Sequence, residues 1–150
     1  MSDAGYCEKV VFRHARTFAL ASRLLSGEKR RGVFAVYAFC RAADDLVDLA
    51  PGESAELTAT KLHGLRRSIA SADVDHHPMI RELRWAISRF GIAPSSLHAL
   101  LTGVERDLHG TQYATWSALQ AYCQEVASSV GEMCTAVFFS SHFSVSTKMA

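Results

Sequence analysis

Apolar side chains recur three and four residues apart along nearly the whole 150-residue chain. This spacing places them on one face of an α-helix, whereas a half-buried β-strand would need alternation at every second residue, and no segment alternates for long enough. The clearest run contains Ile80, Leu83, Ile87 and Phe90, and Gly91 follows it where a left-handed helix cap is typical. The periodicity therefore predicts an all-α fold.

Capping residues and helix breakers predict the boundaries of the first helices. Two short helices are expected over roughly residues 4–25. Ser26 is expected to cap a long helix over about residues 28–49, and Ser54 is expected to cap the next one. The long helix is apolar nearly all round over residues 33–40, which is typical of a helix buried in a core.

The second half of the sequence predicts two further long helices. Pro94 suits the first position of one of them, and Thr115 is a suitable cap for the other. We interpret Gly131, within the last helix, as making room for something that a larger side chain would block. The apolar stripe of that helix is Leu119, Tyr122, Val126, Val130, Met133 and Val137.

Composition excludes several classes of protein. The 16 Lys and Arg nearly balance the 15 Asp and Glu, so nucleic acid is not expected as a partner. Cys40, Cys123 and Cys134 fall in apolar helical stretches without zinc spacing, which favours a reducing, cytoplasmic location. The longest apolar run is far shorter than the about 18 residues that a membrane-spanning helix needs, and no signal peptide is recognisable.

Four functional side chains form a column on the long helix. Tyr37, Arg41, Asp44 and Asp48 are separated by four, three and four residues, so they project from one face. Two carboxylates one turn apart repel each other, and a bound Mg²⁺ together with substrate phosphates would reverse that cost. The column predicts a phosphorylated substrate. The alternative is a solvated helix end in which Arg41 and Asp45 form an ordinary ion pair.

Two stretches of the sequence carry a family resemblance. Residues 14–48 read HARTFALASRLLSGEKRRGVFAVYAFCRAADDLVD and contain a DDxxD aspartate-rich motif. Residues 103–134 read GVERDLHGTQYATWSALQAYCQEVASSVGEMC. Both resemble the squalene and phytoene synthase family, and the second most resembles the phytoene synthases. Two motifs in the right order are more specific than DDxxD alone.

The resemblance implies an isoprenoid synthase-type helical bundle. It implies a prenyltransferase that condenses two geranylgeranyl diphosphates head to head, through a cyclopropyl diphosphate, to phytoene in carotenoid biosynthesis. A squalene-type synthase that uses two farnesyl diphosphates is the alternative. Mg²⁺, with Mn²⁺ as a substitute, is the implied cofactor, and NADPH is not expected for phytoene formation.

The resemblance also implies roles for individual residues. Asp44 and Asp48 would bind the metal, and His14, Arg16 and Arg41 match positions that contact diphosphate. Asp107 matches a further acid that supports the cavity. The positions that would line the cavity are Phe18, Phe34, Tyr37, Tyr122, Val126, Val130 and Gly131, for which plain core packing is the alternative.

A second aspartate-rich motif of the family has no counterpart in this sequence, which contains no Asp after Asp107. We therefore expect residues 1–139 to form the N-terminal part of the synthase domain, and residues 140–150 to be an irregular tail from a truncation or frame break. Such a fragment is expected to be inactive alone, and its uncovered apolar faces predict self-association or pairing with a C-terminal half. A non-catalytic helical binding or assembly module is the competing hypothesis. A lipid product suggests contact with the membrane surface.

Overall fold

The computed structural model of the chain describes residues 2–48, 52, 54–71, 77–110 and 112–140. Every regular element within these ranges is helical, which confirms the predicted all-α fold. A 3₁₀ turn, Ser22–Leu24, follows α2, and a π-helical segment, Gln124–Ser128, joins α7 to α8. The α-helices are α1 (Asp3–His14), α2 (Arg16–Ala21), α3 (Gly27–Asp48), α4 (Ala55–Ala70), α5 (Pro78–Phe90), α6 (Pro94–Asp107), α7 (Trp116–Cys123) and α8 (Ser129–Phe139). Of the expected tail, residues 141–150 lie outside the described residues.

Local capping explains where several helices begin and end. The hydroxyls of Ser54 and Thr115 accept hydrogen bonds from the amides of Leu57 and Ala118, both at 3.2 Å. Gly91 follows α5 with φ of 67°, a left-handed conformation that costs glycine little. These three caps lie where the sequence predicted them.

α3 is the centre of the fold. It packs against α1, α4, α5, α6 and α8, and Gly32–Phe39 is buried apart from Tyr37. Because α3 has neighbours on several sides, its apolar residues cannot be exchanged for polar ones without leaving buried groups unsatisfied. The predicted burial of the long helix is therefore confirmed.

Ion pairs attach α3 to α5. The guanidinium of Arg31 on α3 pairs with both oxygens of Glu82 on α5 and lies 3.7 Å from the centre of the Trp85 ring. Glu82 is only 1% exposed, so its carboxylate needs this partner. The pair fixes α3 against α5 and so fixes the direction in which the column residues project.

The last predicted helix is not regular throughout. Gln124–Ser128 adopts a π-helical turn between α7 and α8. α6 approaches this turn closely, since a Cβ atom added at Gly103 would lie only 2.5 Å from Cγ1 of Val126. The π turn widens the helix at the point of closest approach. The apolar spacing therefore correctly predicted a helix here, but it did not predict the π-helical turn within it.

Two glycines have different surroundings. Nothing lies within 4 Å of a Cβ added at Gly131, so the expectation that this glycine makes room for something stays a prediction, whereas Gly103 makes room for Val126. Cys123 is exposed rather than packed in an apolar stretch, while Cys40 and Cys134 are partly buried. The spacing of apolar residues along one helix does not show which side of it other helices pack against.

Several large apolar side chains remain exposed. Leu24 is 92% exposed, Phe139 80% and Trp116 77%. Exposed apolar area of this kind is typical of a surface that another element covers, so self-association or pairing with a C-terminal half stays a prediction. Among the described residues, no helix has the length and apolar character required to cross a membrane.

Replacing Gly103 with Ala is expected to destabilise the fold by about 1–3 kcal/mol, because the added methyl group overpacks the contact with Val126. Gly131→Ala is the matched control. It meets open space, so the higher helix propensity of Ala should raise the free energy of unfolding by up to about 1 kcal/mol. Thermal and urea unfolding of both variants measures this. A Gly103→Ala variant as stable as the wild type would contradict the proposed close packing.

Candidate active site

α3 ends in a group of carboxylates. Asp44, Asp45 and Asp48 lie in its last five residues, and no basic residue occupies its last turn. The C-terminal end of a helix carries about half an elementary negative charge, which disfavours carboxylates there. Ala43, directly before the group, is fully buried. The acidic end therefore lies where α3 emerges from the core, and it favours a bound cation.

Burial and like charges act together on Asp44. Partial burial raises the pKa of its carboxyl above the ordinary value, and the neighbouring charge of Asp48 raises it further. Asp45 and Asp107 add to the effect, while Arg41 opposes it. Because Asp107 is the last residue of α6, the fold brings the carboxylates of two helices into electrostatic contact.

Tyr122 on α7 is bonded to Asp107. Its hydroxyl donates to the two carboxylate oxygens at 2.9 and 3.0 Å. Burial, followed by this hydrogen bond, raises the pKa of Tyr122 to about 12, so the phenol remains a proton donor at neutral pH. The bond supplies the partner that a half-buried tyrosine hydroxyl needs.

Tyr113 is a site residue that the sequence did not predict. Its ring stacks on Tyr122 with centroids 4.9 Å apart, and its buried hydroxyl has no hydrogen-bond partner among the described residues. Tyr113 lies in a loop, where no helical periodicity marks it. The only sequence signal was its aromatic character two residues before the Thr115 cap.

The early aromatic residues lie against one another. The rings of Phe18 and Tyr37 stack with centroids 5.7 Å apart, and Phe18 lies 6.3 Å from Phe34. Phe34 is almost fully buried and belongs to the core, whereas Phe18 and Tyr37 are partly exposed. Tyr37 also precedes Asp44 by two turns on the same face of α3. These two rings can therefore form a wall beside the carboxylates.

A cavity of about 380 Å³ lies between α1, α3 and the start of α5. His14 and Arg41, two of the predicted diphosphate contacts, line it, but Arg16 does not. Arg41 forms an ion pair with Asp45, as the alternative interpretation of the helix end anticipated. The full lining is Tyr6, Lys9, Val10, Arg13, His14, Ala38, Arg41, Ala42, Asp45, His77 and Met79.

The remaining predicted positions follow the helix after Tyr122. Val126 lies in the π-helical turn against Gly103, and Val130 is partly buried against the core. Gly131 is exposed beside open space. These positions share one helical rod with Tyr122, and their part in lining a cavity stays a prediction.

The metal-binding capacity of the site is limited to few ligands. The described residues contain no group of three or more His, Cys, Asp or Glu side chains placed to hold a metal ion. Mg²⁺ in phosphate-binding sites is commonly held by one or two carboxylates, with phosphate oxygens and water as the other ligands. Asp44 and Asp48, one turn apart and mutually repelling, fit that donor set.

Comparison with known proteins identifies the family. Residues 11–149 match the family model for squalene/phytoene synthase. The chain belongs to the squalene/phytoene synthase family. It is 32% identical to a phytoene synthase of Mycobacterium bovis over 133 residues, which are 87% of this chain and 43% of that protein. It is also 32% identical over 130 residues to a chloroplastic phytoene synthase of Zea mays, covering 85% of this chain and 31% of the maize protein.

Solved structures show that the squalene/phytoene synthase chain has half of an isoprenoid synthase helical fold. A dehydrosqualene synthase in complex with a ligand superposes with a TM-score of 0.80 at 33% identity, over 90% of this chain and 47% of that one. A squalene synthase, HpnC of Alicyclobacillus acidocaldarius, superposes with a TM-score of 0.77 at 27% identity, over 91% and 51%. The chain spans less than half the length of the curated relatives described above, and the predicted N-terminal half of the bundle is confirmed.

The raised pKa of Asp44 generates a stability prediction. A carboxyl whose pKa is higher in the folded than in the unfolded chain is protonated more readily when folded, so the free energy of unfolding falls as pH rises through that range. Asp44→Asn removes this effect and one like-charge contact, and should raise the Tm by about 1–2 °C at neutral pH. Thermal unfolding followed by circular dichroism measures it.

Asp45→Asn is the matched control for this experiment. Asp45 lies on the same helix turn but pairs with Arg41, so its replacement should leave the Tm unchanged or lower it. The gain from Asp44→Asn should shrink as the pH falls through the raised pKa of the Asp44 carboxyl, because protonation removes the repelling charge. A lower Tm for Asp44→Asn at neutral pH would contradict the repulsion inferred between Asp44 and Asp48.

Proposed function

We propose that this chain supplies the metal-binding half of a phytoene synthase-type site, in which two prenyl diphosphates condense head to head. The observation that carries the proposal is the raised pKa of Asp44 at the end of α3, where desolvation acts together with repulsion from Asp48 on its own helix and from Asp107 on α6. A divalent cation bound to such a carboxylate would offset the repulsion from its neighbours. Membership of the squalene/phytoene synthase family supports the same reaction class.

Asp44 and Asp48 would hold Mg²⁺ or Mn²⁺. The bound metal supplies Lewis-acid neutralisation of the departing diphosphate. Asp107 accepts the hydrogen bond of Tyr122, which fixes the tyrosine ring beside the carboxylates. Asp107 is therefore a positioning residue, in keeping with its predicted supporting role.

The aromatic wall would exclude water from the prenyl chain. Phe18 and Tyr37 stack beside the acidic column, and the Tyr113–Tyr122 stack lies on the Asp107 side. Aromatic faces stabilise a nearby cation by about 0.5–2 kcal/mol, so these two stacks suit an allylic carbocation. His14, Arg16 and Arg41 would provide the positive charge that retains the diphosphate.

The length of the prenyl substrate is the finer part of the proposal. Relatives described as phytoene synthases support two geranylgeranyl diphosphates, with no need for NADPH. The dehydrosqualene and squalene synthase structures support farnesyl diphosphate as the alternative. A synthase with a hydrocarbon product would also work at the membrane surface.

The test is direct binding of geranylgeranyl diphosphate to this chain, measured by calorimetry with Mg²⁺ and with EDTA. Binding is the readout because the second aspartate-rich motif of the family is not in this sequence. We expect binding that requires Mg²⁺. The double variant Asp44→Asn with Asp48→Asn should weaken it at least about tenfold, because both carboxylate ligands are lost.

The matched control replaces two acids away from the site. Glu8→Gln with Glu56→Gln changes the net charge equally, on α1 and on the first turn of α4, and should bind as the wild type does. Equal loss in both double variants would show a general charge effect and would contradict the metal role. A parallel titration with farnesyl diphosphate decides the substrate: tighter binding than that of geranylgeranyl diphosphate would reverse the assignment.

A further inference from the structure

The cavity between α1, α3 and α5 carries more positive charge than the predicted diphosphate contacts explain. Lys9 and Arg13 line it together with Arg41, against the single carboxylate of Asp45. The permanently charged groups of the wall therefore sum to a net charge of +2. The chain as a whole has a net charge of only +1, so the cavity is a local concentration of positive charge.

Lys9 and Arg13 are available for a ligand. They lie four residues apart on α1, so they project from the same side of the helix, one turn from each other. Neither side chain forms a hydrogen bond or ion pair with the part of the chain that the structure describes. Most other arginines of the fold are paired, for example Arg31 with Glu82 and Arg81 with Asp3.

Arg41 connects the cavity to the acidic column. One of its terminal nitrogens pairs with Asp45, and its Nε is buried without a hydrogen-bond partner among the described residues. An unpaired buried guanidinium N–H costs free energy that an acceptor oxygen in the cavity would recover. Because Arg41 belongs to both places, an anion released beside Asp44 and Asp48 has a cationic site directly next to it.

We infer that this cavity is a metal-independent binding site for free inorganic diphosphate, with Lys9 and Arg13 as its principal charges. The inference rests on the proposed function for the choice of anion, since diphosphate is the leaving group of that reaction. The cavity volume of about 380 Å³ suits a small anion with its water. Lys9, Arg13 and Arg41 supply charged hydrogen-bond donors to this cavity, among apolar side chains such as Val10 and Met79.

The experiment titrates the full 150-residue chain with inorganic diphosphate in excess EDTA, so that the acidic column holds no metal. We expect saturable binding that Lys9→Gln with Arg13→Gln weakens about tenfold or more, because two charge-assisted contacts are lost. Lys9 and Arg13 are exposed, so the fold should survive, and circular dichroism checks this. Absence of binding by the wild-type chain in EDTA would overturn the inference.

A matched control distinguishes specific binding in the cavity from an effect of the net charge of the protein. Arg23→Gln with Arg67→Gln removes the same two charges from positions outside the cavity lining and should keep the wild-type Kd within about twofold. An equal loss of affinity in both double variants would overturn the inference. Since the assay contains neither Mg²⁺ nor a prenyl chain, its outcome is independent of the Mg²⁺-dependent titration that tests the proposed function.

Competition in EDTA identifies the source of the diphosphate group. Free diphosphate and the head of a prenyl diphosphate share the same chemistry, but a geranylgeranyl chain adds bulk that a cavity of about 380 Å³ accommodates poorly. Geranylgeranyl diphosphate should therefore displace inorganic diphosphate only at higher concentration. Displacement at equal or lower concentration would overturn the assignment to the free anion.

Discussion

Electrostatic repulsion between Asp44 and Asp48, at the point where a buried helix leaves the core, is the constraint around which the site is built. The backbone of α3 keeps the two carboxylates one turn apart, because the helix is held by neighbours on several sides and by the pair of Arg31 with the buried Glu82. The negative end of the helix adds to the repulsion. A fold that keeps such an arrangement carries a local cost in stability, which the proposed cation would reverse.

Positive and negative charge are separated on two adjoining faces of α3. One face presents Asp44 and Asp48 near Asp107 and its tyrosine partner. The neighbouring face presents Arg41 to a cavity that Lys9 and Arg13 also line. The pair formed by Arg41 and Asp45 lies between them. This arrangement would let one helix serve both the proposed metal site and the proposed anion site.

The sequence predicted those features that depend on neighbouring residues along the chain. Ser54, Thr115 and Gly91 act as caps through atoms within four residues of themselves. Spacing along one helix placed Tyr37 and Asp44 on the same face. The family resemblance named Phe18 and Tyr37 as cavity positions, but only the structure shows that their rings stack. The fold class was predicted for the same reason, since helical periodicity is a local property.

Features that depend on how distant segments approach one another were not predictable from one sequence. The π-helical turn arises where α6 meets Val126, and Gly103 rather than Gly131 is the glycine that this contact requires. Tyr113 has a role only because its loop lies over Tyr122. Lys9 and Arg13 resemble any pair of surface cations until α1 is placed beside Arg41. Each of these depends on tertiary packing, which no periodicity records.

The most direct test of the metal site locates the ion itself. Mn²⁺ added in substoichiometric amount, together with geranylgeranyl diphosphate, broadens the amide NMR signals of residues close to it. The account predicts the strongest broadening over residues 41–48 and at Asp107 and Tyr122, and none over α4 and the middle of α5. Broadening centred on Glu125 and Glu132, with the end of α3 unaffected, would contradict the account.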